Sequence, residues 1–176
     1  IAVPLNLEMA ATDEMLAIAL AHRPHAACIV PERRAEITTE GGLDAAGQAA
    51  TLKPIVAALS AASVRVSLFI DADPEQLRAA SALGAAAVEL HTGAYALGRP
   101  GELARLREGA ALAEKFGLEC HAGHGLDFDN VGAVAAIAQI RELNIGHFLI
   151  GEAIFDGLAP VITRMRQLIA AASVTT

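Results

Sequence analysis

The sequence has no tryptophan, only 3% aromatic residues and just two cysteines among 176 residues. Cys28 and Cys120 lie in separate apolar runs and lack the close spacing of paired metal ligands. We therefore expect two reduced, buried thiols, as in a cytosolic protein.

The sequence also lacks a tract of basic residues, and its formal net charge is −7. This balance disfavours nucleic acids and anionic membrane surfaces as partners. No apolar run reaches the ~18 residues of a membrane span, and the first residues lack the basic and apolar segments of a signal peptide. We expect a cytoplasmic protein that contacts neither nucleic acid nor membrane.

The apolar residues fall into six runs of strand length that alternate with helical stretches. This alternation predicts βαβ units, a parallel sheet and an α/β fold. The length suits one domain with a full core, so we expect residues 1–176 to form a single domain. Strands are expected at about 5–9, 26–30, 64–70 and 86–90, at the start of the stretch 119–126, and at 148–150.

Capping residues mark several helix boundaries. Thr12 and Asp73 are predicted N-caps, with Pro74 in the first turn, and Gly117 closes a helix at about 101–116. Pro54 also suits a first turn, which places the second helix at about 52–62. The other helices are expected at about 13–21, 73–84, 130–137 and 158–172.

Polar residues and glycines recur where the predicted strands end. A (β/α) barrel builds its active site from the loops at this rim, whereas a doubly wound sheet binds ligands at one switch point. The recurrence favours the barrel, although a complete one has eight strands and roughly 250 residues. The residues in question are Glu8, Asp71, Glu89, His91, His124 and Gly151.

The fifth strand runs into Gly123-His124-Gly125. Flanking glycines permit a positive φ and a close approach to a ligand, and the histidine can exchange a proton near neutral pH. The same tripeptide also occurs in plain turns. Glycine-rich turns after the fifth and sixth strands fit the phosphate site of many barrels, and Arg33-Arg34 is either a phosphate clamp or solvated surface.

Two carboxylates, Glu8 and Glu89, lie in apolar strands and are expected to point into one cavity, unless Glu8 faces solvent at its strand end. His91 is expected to bond a backbone carbonyl, and His121 to lie in the core or behind His124. His147 follows a glycine just before the sixth predicted strand. The residues alone thus indicate a barrel enzyme that acts on a small phosphorylated compound by acid–base chemistry.

An ordered set of motifs spans nearly the whole chain and closely resembles the pyridoxine 5′-phosphate synthase family. The motifs are Asn-Leu-Glu-Met-Ala at 6–10, Val-Pro-Glu-Arg at 30–33, Thr-Thr-Glu-Gly-Gly-Leu-Asp at 38–44, Val-Ser-Leu-Phe-Ile-Asp at 66–71, Glu-Leu-His-Thr-Gly at 89–93, Ala-Gly-His-Gly-Leu at 122–126 and Leu-Asn-Ile-Gly-His at 143–147.

The resemblance implies a (β/α)8 TIM barrel with extra helices, assembled as an octamer built from dimers. The family condenses 1-deoxy-D-xylulose 5-phosphate with 3-amino-2-oxopropyl phosphate without a metal or organic cofactor. By resemblance, Glu8 is a general acid/base, Glu89 stabilises charge in the transition state and His124 donates a proton. Thr38 would lie on a loop that closes over the substrate. The implied phosphate-binding residues are Gly125, Gly146 and His147.

The chain departs from this family in two ways. The two βα units that normally come first, with an Asp-His pair and a second catalytic histidine, are not in this sequence. Its six strands therefore correspond to barrel strands three to eight. In addition, His121 stands where relatives often carry an amide, which would alter hydrogen bonding behind His124.

Two alternatives remain open at this stage: another phosphate-binding barrel enzyme, such as an isomerase or aldolase, and a truncated scaffold without turnover. An aldolase that works through an imine requires a lysine at a strand end. Both lysines, Lys53 and Lys115, fall on predicted helices, which disfavours that version.

Overall fold

A computed structural model of the chain describes residues 2–31 and 41–173. These residues contain one sheet of six parallel strands, in the order β1-β2-β3-β4-β5-β6. The strand order follows the chain order without the reversal that defines a doubly wound sheet, so the described part has the arrangement of a barrel wall. The strands are β1 Asn6–Ala10, β2 Ala26–Val30, β3 Arg65–Ile70, β4 Ala87–His91, β5 Glu119–Gly123 and β6 Ile140–Asn144.

Helices connect successive strands and pack on one face of the sheet. They are α1 Asp13–His22, α2 Ala49–Ala61, α3 Pro74–Leu83, α4 Gly93–Ala96, α5 Glu102–Lys115, α6 Val131–Ala135, α7 His147–Asp156 and α8 Leu158–Ser173. In the described ranges, no helix combines the length and hydropathy that a membrane crossing requires.

The two faces of the sheet differ sharply in polarity. Alternate strand residues such as Ile29, Leu68 and Leu90 are fully buried and belong to the core beneath the helices. The residues between them, such as Cys28 and Glu89, line a cavity on the opposite face. The period of two in a strand thus separates an apolar outer face from a polar inner face, which corresponds to a barrel interior.

Several predicted capping residues are confirmed. The Thr12 hydroxyl accepts the Met15 N–H at 3.2 Å, and the Asp73 carboxylate accepts the Glu75 N–H at 2.8 Å. Pro74 occupies the first turn of α3. The prediction for Pro54 is wrong, because α2 begins at Ala49 and the proline lies inside the helix. The sequence 49–53 has good helix formers but no side-chain N-cap, so the true start carries little signal.

The predicted sixth strand at residues 148–150 is also wrong. These residues belong to α7, as does Gly151, which was expected at a strand end. The strand is β6, whose Arg141 and Glu142 are exposed because β6 is the last strand of the described sheet. The prediction failed because the real strand is polar, whereas the first turn of the helix that follows it is a short apolar run of strand length.

Exposed apolar side chains lie in the segments that precede β1 and follow β6. Near β1 they include Val3 and Leu5, which are 68% and 42% exposed. After β6 they include Ile154 and Phe155 of α7, which are 77% and 85% exposed. Such concentrations of apolar surface are typical of faces that another element covers.

Candidate active site

The polar face encloses a cavity of about 640 Å³ that opens towards the carboxyl ends of the strands. The structure brings together around it six of the seven residues to which the family resemblance assigns a role, namely Glu8, Glu89, His124, Gly125, Gly146 and His147. The seventh, Thr38, lies outside the described residues, as do Arg33 and Arg34. Cys28 and Asn144 also line the cavity.

Glu89 is the buried acid of the site, with 6% of its surface exposed. Its Oε2 atom accepts a hydrogen bond from Asn144 Nδ2 at 2.7 Å and one from Cys28 Sγ at 3.5 Å. Burial raises the pKa of Glu89 to about 7 against these two hydrogen bonds, and the charges of Glu8 and Glu142 add to the rise. Glu89 therefore exchanges its proton near neutral pH.

Glu8 shares the cavity but is exposed, so the expectation of two buried carboxylates is wrong for Glu8. It lies on β1, an edge of the described sheet, directly opposite Cys28 of β2. The alternative of a solvent-facing carboxylate is the correct one for the described part of the chain.

His124 follows β5 in a strained backbone conformation. Its φ is +85° and that of Gly125 is +76°, a region that few residues other than glycine adopt. Thr92 fixes the turn, because its hydroxyl lies 2.7 Å from the Gly123 carbonyl and 2.5 Å from that of His124. The turn thereby directs the His124 side chain into the cavity.

The environment of His124 disfavours its protonated form. Partial burial lowers the pKa of His124, and the charges of His91 and His147 lower it further. Its ring centroid lies 5.0 Å from that of His91. His124 is therefore a neutral imidazole at neutral pH that can take up and return a proton.

His91 does not bond a backbone carbonyl as predicted. Its Nδ1 atom lies 3.2 Å from Oδ1 of Asp71, and this contact is the largest cause of the lowered pKa of Asp71. Asp71 directly follows β3 and His91 ends the neighbouring strand β4, so the register of the two strands brings the two side chains together. The Nε2 atom of His91 is buried without a hydrogen-bond partner among the described residues.

Gly146 and His147 lie at the start of a helix instead of a strand. Gly146 precedes α7, His147 is its first residue, and both border the cavity. A helix N-terminus presents unpaired N–H groups and a partial positive charge. This end of the cavity therefore favours an anion more strongly than the predicted strand would have done.

His121 belongs to a different cluster at the amino ends of the strands. Its Nε2 atom lies 2.8 Å from Oε1 of Glu119. Arg65 binds the same carboxylate at 2.7 and 2.9 Å and, with His121, lowers the pKa of Glu119 to about 2. Of the two expectations for His121, a buried position in the core is confirmed, since 5% of its surface is exposed. A position behind His124 is wrong, because His121 is turned towards the opposite end of the sheet.

Asn144 and Cys28 are the site residues that sequence reasoning missed. Asn144 was not assigned to a strand, although it lies directly opposite Gly123 of β5. Cys28 was recognised only as a buried thiol, and the structure confirms that it and Cys120 are free and buried. A correct β6 would have placed Asn144 on the inner face by alternation.

Among the described residues, no group of three or more histidines, cysteines or acids is arranged to hold a metal ion. Lys53 and Lys115 lie on α2 and α5 as predicted. The described lining of the cavity contains no lysine.

Strand order, polar interior and a cavity at the carboxyl ends define the class: six strands of a TIM-type (β/α) barrel. Solved structures share this fold. An HpcH/HpaI aldolase/citrate lyase family protein from Burkholderia cenocepacia J2315 matches 98% of this chain and 76% of its own, with a TM-score of 0.59 and 15% identity. An HpcH/HpaI aldolase from Desulfitobacterium hafniense DCB-2 matches 97% and 72%, with a TM-score of 0.60 and 12% identity.

The sequence comparison is more specific. Residues 1–171 match the family model described as pyridoxal phosphate biosynthesis protein PdxJ. The pyridoxine 5′-phosphate synthase of Gluconobacter oxydans is 62% identical over 96% of this chain and 73% of its own length. That of Rhodospirillum rubrum is 65% identical over 93% and 68%. The chain therefore belongs to the PdxJ family, a family of enzymes.

Proposed function

We propose that this chain carries most of the active site of a pyridoxine 5′-phosphate synthase. The reaction condenses 1-deoxy-D-xylulose 5-phosphate with 3-amino-2-oxopropyl phosphate and releases phosphate and water. The observation that carries the proposal is the cavity shared by buried Glu89 and neutral His124, in a chain 62% identical to a named synthase. These steps require no metal or organic cofactor, because imine formation, loss of phosphate and water, and ring closure are each assisted by proton transfers that side chains perform.

The proton transfers are assigned to two groups. His124 takes up a proton from the substrate and returns it to a leaving oxygen, for which a neutral imidazole is suited. Glu8 is the general acid/base at the exposed side of the cavity. Glu89 in its ionised form stabilises positive charge on the nitrogen of the condensing intermediate.

The phosphate groups bind at glycine-rich turns. Gly146 and His147 offer the N-terminus of the ten-residue helix α7, and Gly125 offers backbone beside His124. A Cβ added at Gly125 would lie 2.8 Å from the Ala96 side chain, so a side chain there would close this approach. Thr38 is assigned to the loop that closes over bound substrate, which would keep water from the intermediates.

We propose that residues 1–176 form one domain that supplies barrel strands three to eight. The chain spans 73% and 69% of the length of two of its relatives. Two additional βα units between β6 and β1 would complete an eight-stranded wall and cover the apolar side chains beside both edges. An octamer built from dimers in the cytoplasm completes the proposal.

The test is product formation by the full-length protein that contains this chain. We expect pyridoxine 5′-phosphate from the two substrates, detected by mass spectrometry, and a loss of two to four orders of magnitude (roughly) in His124→Asn. Asparagine is the chosen replacement because it tolerates a positive φ. Near-normal turnover in a folded His124→Asn protein would refute the assignment.

A further inference from the structure

The two carboxylate oxygens of Glu89 differ in their hydrogen bonding. Its hydrogen-bond donors among the described residues, Asn144 Nδ2 and Cys28 Sγ, both bond Oε2, at 2.7 and 3.5 Å. Among the described residues, Oε1 receives no hydrogen bond and lies against Gly123. One oxygen is thus occupied by the protein, and the other is left to the cavity.

The three side chains come from alternate strands, β2, β4 and β6. Alternate strands supply each layer of side chains inside a barrel, so the contacts follow from the register. The side chain of Glu89 on β4 is therefore held from two other strands, β2 and β6, and these two hydrogen bonds fix its rotamer.

Gly123 is part of the same arrangement. A Cβ at this position would lie 2.2 Å from Oε1 of Glu89 and 2.8 Å from the Asn144 carbonyl oxygen. The absent side chain lets Oε1 occupy its position beside β5, close to the turn that carries His124.

The thiol of Cys28 acts as a donor in this geometry. Burial, followed by the charge of Glu89, raises the pKa of Cys28 well above its ordinary value, so the sulfur keeps its proton. Cys28 is therefore neither a nucleophile nor a competing anion. Cys120, the other buried cysteine, lies on β5 with its sulfur 3.7 Å from the His121 carbonyl oxygen and belongs to the core under the helices.

We propose that Cys28 and Asn144 are positioning residues that clamp Oε2 of Glu89, so that Oε1 is the oxygen presented to the substrate. The inference rests on the proposed function for its catalytic consequence, and on the geometry alone for the clamp. It assigns to the Cys28 thiol a role in the reaction that acts through Glu89.

The clamp is tested by titrating Glu89 directly in the full-length protein. Infrared difference spectra show the protonated carboxyl band, and Glu89→Gln identifies it by removing the band. We expect a pKa of about 7 in the unmodified protein. In Asn144→Leu, which keeps the side-chain volume and removes the donor, the pKa should rise by about one pH unit or more.

Cysteine variants separate the hydrogen bond from packing. Cys28→Val should raise the pKa of Glu89 by a smaller amount, and Cys28→Ser, which restores a donor, should return it towards the original value. Cys120→Val is the matched control and should leave the Glu89 band unchanged. A Glu89 pKa that is the same in Asn144→Leu and Cys28→Val as in the unmodified protein would overturn the clamp.

Turnover supplies the second reading. We expect kcat to fall by about tenfold or more in Asn144→Leu, with little change in KM. The increase of kcat with pH, which follows the ionisation of Glu89, should move to higher pH in this variant. Shifted titrations with an unshifted kcat profile would overturn the role in catalysis. If the unmodified protein makes no pyridoxine 5′-phosphate, the proposed function fails while the titration still decides the clamp.

Discussion

At the scale of single residues, the site depends on where a few polar side chains lie relative to water. Glu89 and Glu8 face the same cavity, but Glu89 is buried and Glu8 is exposed. Desolvation raises the pKa of Glu89 towards neutrality, while His124 is held in its neutral form. The same residue types at fully exposed, unpaired positions would have ordinary surface chemistry.

Burial of Glu89 makes the stability of the fold depend on pH. Its pKa in the folded chain is about 7 and its ordinary value is 4.5, so the protonated form is favoured by folding. This stabilisation is complete below the ordinary pKa and is lost as the pH rises through the folded value. Between about pH 4 and about pH 8, ionisation of Glu89 should therefore lower the free energy of unfolding by about 3 kcal/mol. Glu89→Gln should abolish this decrease.

Urea denaturation of both proteins at the two pH values checks this prediction. Glu119→Gln is unsuitable as a control because its carboxylate is paired, whereas Glu14 lies exposed in the first turn of α1. Glu14→Gln should leave the pH dependence nearly unchanged. An equal pH dependence in Glu89→Gln and the unmodified protein would contradict the buried-acid interpretation.

The two histidines of β5 and its turn should differ in their effect on the reaction. His121 contacts Glu119 at the amino end of the strands, whereas His124 borders the cavity. His121→Asn should keep kcat within about twofold of the unmodified enzyme, because it removes no group near the reacting atoms. Steady-state kinetics check this, and a loss in His121→Asn comparable to that in His124→Asn would show that the two ends of the strand are coupled.

At the scale of elements, the loop before α2 packs tightly against the carboxyl end of β3. Gly42 lies against the end of β3, where an added Cβ would be 2.2 Å from the Asp71 nitrogen and 2.6 Å from the Ile70 carbonyl carbon. Leu43 N–H also bonds the Phe69 carbonyl at 2.7 Å. The contact is with backbone, so neither side can move independently.

Gly42→Ala should therefore lower the free energy of unfolding by about 1–3 kcal/mol. The neighbouring Gly41 provides a matched control, since nothing lies within 4 Å of an added Cβ there. Gly41→Ala should change stability by less than about 0.5 kcal/mol. Equal effects of the two substitutions in denaturant unfolding would show that the close contact at Gly42 is not retained in solution.

Most elements were predictable because their signals are local. The alternation of apolar runs gave five of the six described strands, and Thr12 and Asp73 marked helix starts. The sixth strand was missed because an edge strand with exposed Arg141 and Glu142 lacks an apolar pattern. For the same reason Asn144, a partner of Glu89, was not recognised.

Other features depend on contacts between distant segments. The bond between His91 and Asp71 joins residues 20 positions apart, and the contact of Asn144 with Glu89 joins residues 55 apart. A sequence shows which residues alternate on a strand but not which neighbour a side chain meets. For this reason the sequence did not reveal that His121 pairs with Glu119, whereas His124 faces the cavity.

At the scale of the whole molecule, the described strands form an incomplete wall. β1 and β6 are its two edges, and apolar side chains in the segments before β1 and after β6, such as Val3 and Phe155, are exposed. A protein limited to residues 1–176 should consequently be less stable than the full-length protein and inactive in synthesis. Circular dichroism melting and a product assay on the two proteins check this, and full activity of the shorter protein would contradict the proposed barrel completion.

The proposed function assigns the synthesis of pyridoxine 5′-phosphate to one cavity with buried Glu89 and neutral His124. The most direct measurement is single-turnover product formation by the full-length protein and by Glu89→Gln and His124→Asn, with folding verified by circular dichroism. We predict product from the unmodified protein and losses of roughly a hundredfold or more in both variants. Unchanged product formation in both folded variants, or none from the unmodified protein, would contradict the claim.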